Sequence, residues 1–131
     1  MLYEYRSNDL ECLATMQSAF ENVIGKHRAA GLDVEVELVG NRPCAGKLDP
    51  VAYGSLIESC RQAVRDVLGE EPVYGMSSTD ANIPLSLGIP AVCVSAAVGR
   101  GFHTRQEELD LDRLRDGCRL TMENIARYFA L

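Results

Sequence analysis

The chain has 131 residues, 47% of them hydrophobic and 24% charged, with a formal net charge of −6, a length that holds one core or two incomplete lobes. A phosphate backbone has to be met by a concentrated basic surface, and the lysines and arginines here are scattered through an acidic chain, so nucleic acid is excluded as a partner. No stretch has the continuous apolar length of a membrane span and no charged segment leads into an apolar core, which predicts no membrane partner and a cytoplasmic location.

Cys12, Cys44, Cys60, Cys93 and Cys118 are odd in number, widely spaced and free of any C-x-x-C pair. They predict reduced, mostly buried thiols, not a disulfide framework or a cysteine-built zinc site.

In chain order, residues 2–6 alternate, with Tyr3 and Tyr5 on one face and Leu2, Glu4 and Arg6 on the other, which predicts a strand with one covered face. Asn8 followed by Glu11 has the form of a capping box, and Leu10, Leu13, Met16, Phe20, Val23 and Ile24 then keep helical spacing up to Gly31. Val34, Val36 and Leu38 alternate with acidic residues as a second strand. The unit reads β-α-β, and a right-handed crossover makes its strands parallel. Two prolines and a glycine interrupt all periodicity over residues 41–50, which marks a boundary. Asp49 and Pro50 then signal a helix start, Leu56, Ile57, Cys60, Val64, Val67 and Leu68 give the helix its buried stripe, and Gly69 closes it. A short strand is expected at residues 72–74. The last helix, from near Asp110 or Asp112, shows Leu114, Cys118, Thr121, Ile125, Tyr128 and Phe129 on one side.

Between these lies the stretch the chain is organised around, residues 75–110. Ser77, Ser78, Thr79 and Asp80 are of the kind that satisfies the free N–H groups of a helix start, Pro84 fits only in the first turn, and Gly88 ends a short helix. Residues 89–94 are a near-continuous apolar run, expected as a strand buried on both faces, and an assignment of this segment to α/β requires it to lie in a sheet. A loop with Gly99 and Gly101 follows and ends on His103, at the carboxyl end of a strand, where open α/β sheets bind ligands.

The run STDANIPLSLGIPAV, then a glycine-containing loop and FHTRQEELD, resembles the C-terminal half of the dinuclear zinc hydrolases that include aminoacylases, acetylornithine deacetylase, succinyl-diaminopimelate desuccinylase and glutamate carboxypeptidase. Upstream, LYEYRSND resembles a strand of that family's lid domain, and VEVELVGNRPCAG its last lid strand and return to the catalytic domain. The resemblance implies an α/β chain: a lid-derived β-α-β (half ferredoxin-like) unit over residues 1–45, followed by an incomplete α/β piece of the zinc-peptidase catalytic domain over residues 46–131. It implies hydrolysis of amide bonds in peptides or N-acyl amino acids, zinc as cofactor with two ions in the complete enzyme, His103 as one metal ligand, and a homodimer. It also implies that the other ligands and the catalytic glutamate lie in an N-terminal half outside this chain, so that the chain by itself is inactive and holds no zinc tightly.

By the same resemblance Arg6 matches an arginine that holds the substrate carboxylate, and Ser78 and Thr79 match a turn that lines the substrate pocket. Each residue also has a plainer reading. His103 can be an ordinary surface-loop histidine, Arg6 can form a cross-strand ion pair with Glu35 or Glu37, and residues 77–80 can be only a helix cap. For the chain as a whole the alternative is a non-catalytic α/β interaction domain that retains the scaffold.

Overall fold

The computed structural model describes residues 1–129. Its elements in order are α1 (Leu10–Ala29), α2 (Pro50–Leu68), α3 (Asn82–Ser86), β1 (Gly99–Arg100), β2 (Glu108–Leu109) and α4 (Leu114–Phe129). The fold is mixed, helical in its main parts with one small two-stranded antiparallel sheet. The chain divides into two units, Met1–Leu48 with Ser78–Ile89, and Asp49–Ser77 with Pro90–Leu131.

In the first unit, α1 starts where Asp9 accepts hydrogen bonds from the backbone N–H groups of Glu11 (2.8 Å) and Cys12 (3.0 Å), so the cap falls one residue after the expected Asn8. Lys26, His27 and Arg28 sit at the negative end of the helix dipole, and Gly31 turns the chain away at φ 87°. Although 20 residues long, α1 has no buried residue. It is covered locally from the N-terminal segment: the Tyr3 ring stacks on Phe20 with centroids 5.4 Å apart, and the Tyr5 hydroxyl meets Gln17. Elsewhere in this unit the 43–47 segment lies against α3. Gly46 N–H donates to Leu85 O at 2.9 Å, and a Cβ at Gly46 would stand 2.6 Å from Ser86 O, so only glycine permits that approach.

The second unit is built on α2 and α4. Asp49 caps α2 through Val51 N–H (2.8 Å), Pro50 fills the first turn, and Gly69 closes it at φ 70°, all as the sequence predicts. Helix α4 packs on α2. Its buried residues are Gly117 and Leu120, and that of α2 is Ala63. At Gly117 the backbone of α4 lies against the 95–97 segment, because a Cβ there would stand 1.6 Å from Ala96 O. Arg127 joins the helices by pairing with both Asp66 and Glu123, and Arg113 reaches Glu70.

Several expectations need correction. The residues that the sequence puts on one side of α4, Leu114, Cys118, Thr121, Ile125, Tyr128 and Phe129, are all exposed, so that side is not the one the helix packs. The buried residues Gly117 and Leu120 are on another face; Gly117 lies against Ala96 O, and Arg127 pairs with Asp66 of α2. Residues 2–6, 34–38, 72–74 and 89–94 belong to no strand. The requirement that residues 89–94 lie in a sheet is therefore not met. Strand backbone is satisfied only by another strand alongside, and these runs have none among the described residues. The ladder that does form pairs Gly99 with Leu109 and Arg100 with Glu108, its first strand inside the stretch read as a glycine-containing loop and its second beyond His103. The thiols are not mostly buried either, since Cys12, Cys93 and Cys118 are exposed and only Cys44 is buried.

The amount of surface left open is large. The chain exposes 10565 Å², whereas a compact monomer of 14.4 kDa exposes about 6,800 Å² and even two separate globules of half that mass about 8,200 Å².

Candidate functional site

Of the residues singled out by the sequence, Arg6, Ser78 and Thr79 belong to the first unit and His103 to the second.

Arg6 is exposed and its Nε donates to Glu4 Oε1 at 2.7 Å. This hydrogen bond holds the Glu4 carboxyl below its ordinary value and raises the Arg6 guanidinium above its own. The ion pair is thus with a neighbour two residues away and not with Glu35 or Glu37. A guanidinium carries five N–H donors in a planar fork, so one carboxylate contact leaves capacity for a second anion.

Ser78 and Thr79 lie in the turn before α3, both half-buried. The helix takes no side-chain cap, contrary to the plainer reading of residues 77–80. The turn is held from outside itself. Asn82 Oδ1 accepts Thr79 N–H at 2.9 Å, Asn82 Nδ2 donates to Pro43 O at 3.2 Å, and Arg42 Nη1 donates to Ser78 O at 3.1 Å. Arg42 and Asn82 were not foreseen as site residues. Arg42 acts on a residue 36 positions away and Asn82 reaches Pro43 39 positions away, pairs of which a single sequence gives no hint, whereas the Asn82–Thr79 bond is local, three residues apart.

His103 sits at the tip of the β1–β2 hairpin, exposed, with a backbone φ of 64°, and among the described residues it is the one non-glycine position in the left-handed region. Its backbone N–H donates to Glu107 Oε2 at 3.1 Å. The base of the hairpin is closed by Arg100, whose Nε donates to Glu108 Oε2 at 2.8 Å, and by Asp110 N–H on Val98 O at 2.8 Å. The strand that was to deliver His103 is therefore replaced by a tight hairpin that projects it.

An exposed imidazole has the right chemistry for a zinc ligand, and a zinc site needs three or four such ligands from the protein. Among the described residues no group of three or more His, Cys, Asp and Glu side chains stands together. His103 can contribute one ligand, and the rest of a coordination shell does not come from these residues. A cavity in the second unit, lined by Leu68, Ser95, Val98, Arg113, Asp116 and Leu120 among others, has a volume of about 30 Å³. It has room for about one or two waters and is an order of magnitude below what a small-molecule substrate takes. A water there would satisfy the Arg113 Nε–H, which is buried without a hydrogen-bond partner and 3.6 Å from Asp116 Oδ2. This cavity is not the candidate site.

No helix among the described residues is long and apolar enough to cross a membrane. Comparisons with protein-family models, curated proteins and solved structures find no match.

Proposed function

We propose that this chain is the C-terminal part of a zinc-dependent hydrolase that cleaves amide bonds of peptides or N-acyl amino acids in the cytoplasm. The observation that supports it most is the histidine of the FHTRQEELD motif, held in a left-handed turn at the exposed tip of a closed hairpin. That backbone conformation is uncommon outside glycine, and histidine is among the residues that take it more readily. The ordered turn at Ser78 and Thr79 is a second support, because it opens the other quoted motif. The finer fold reading, a lid-derived β-α-β unit over residues 1–45 and an incomplete catalytic α/β piece over residues 46–131, belongs to this proposal. None of its expected strands, at residues 2–6, 34–38, 72–74 and 89–94, is formed, the last being the one it requires, so on this reading the sheet partners are supplied by sequence beyond this chain.

On this reading zinc, when bound, supplies a Lewis acid and an activated water. The chain's own residues have narrower tasks: His103 offers an imidazole nitrogen, Arg6 offers the free donors of its fork to a substrate carboxylate, and the Ser78–Thr79 turn shapes the pocket wall. The catalytic glutamate and the remaining ligands are supplied from outside this chain, and the assembled enzyme is a homodimer.

The test is metal analysis together with N-acyl amino acid hydrolysis, on this chain and on the full-length polypeptide that carries it. The chain alone is expected to be inert and zinc-poor. The full-length polypeptide is expected to be active, and His103→Ala in it to lose zinc and activity together. Stoichiometric zinc and turnover in the chain alone, or full activity without His103, would overturn the proposal.

The wide exposed surface favours a second reading, a non-catalytic α/β interaction domain. The same experiment separates the two, because an interaction domain shows neither zinc nor hydrolysis in any context.

A further inference from the structure

We draw no further inference here: the strongest candidate, the exposed apolar side of α4 carried by Leu114, Ile125, Tyr128 and Phe129, is an unpartnered helix face, and nothing in the structure shows what covers it.

Discussion

Helices α1 and α2 are almost equal in length, 20 and 19 residues, and both start on an aspartate whose carboxylate caps the first turn. Helix α2 meets α4 and has a fully buried residue, Ala63, whereas α1 is met only by irregular segments, Tyr3 and Tyr5 before it and Val34 O, which accepts from Arg28, after it, and it buries nothing. The difference lies in what surrounds the helices, since local signals for a helix are present in both. It teaches that caps and spacing decide whether a helix forms, and that a second element decides whether it is worth anything to the fold.

The glycines inside the helices give the sharpest way to break this comparison. Gly117→Ala on α4 puts a methyl group against Ala96 O, a backbone atom that cannot swing away. The expected loss is about 3 kcal/mol, or detachment of the 95–97 segment, read by urea unfolding of the helical circular dichroism. Leu120→Ala, at a position 3% exposed, should cost about 2–3 kcal/mol by the same measurement, from lost burial and the cavity left behind. In α1 the sign reverses. Gly25 has nothing within 4 Å of an added Cβ, so Gly25→Ala should stabilise the helix by about 0.5–1 kcal/mol. A destabilising Gly25→Ala would mean that α1 is covered in solution by something that needs the glycine, and the contrast between the helices would then fail.

The smallest effect is a pH dependence in α2. Burial raises the Cys60 thiol above its ordinary value of 9.0. With the folded value above the unfolded one, the unfolded chain ionises first as pH rises past about 9, and stability is lost from there through the folded value. A denaturation midpoint that declines above pH 9, less steeply in Cys60→Ala, is the expected result. Equal slopes would show that the thiol is as well hydrated in the fold as out of it.

Much of the helical part was legible because each signal completes itself within a few residues. Asp49 with Pro50, Gly69, Gly88 and the Gly31 stop all stand where the sequence puts them. The strands were not legible for the opposite reason. Alternation at residues 2–6 or an apolar run at 89–94 describes a side-chain pattern, and the backbone becomes a strand only when a partner is supplied from far away in the chain. The packed face of α4 was not legible because Gly117, the smallest residue on the helix, makes the close approach to Ala96 O, and an apolar stripe says nothing about where a backbone can approach. At the candidate site the sequence pointed to His103, Arg6, Ser78 and Thr79. The groups that hold them, Glu107, Glu4, Arg42 and Asn82, act through single hydrogen bonds that leave no pattern.

The two units share the chain unevenly: the first takes Met1–Leu48 and then Ser78–Ile89, so the polypeptide leaves it at residue 48, spends α2 in the second unit and comes back. On a ribosome this imposes a schedule. Helix α1 emerges before α2, and the segment carrying α3, whose Leu85 carbonyl receives the Gly46 N–H, is made only after all of α2 has been synthesised. At about 5–20 residues per second the first unit waits seconds for its closing piece, and α2 waits still longer for α4. During that interval the nascent chain shows still more apolar surface than the finished one, which makes synthesis itself the stage at which chaperones would have most to bind.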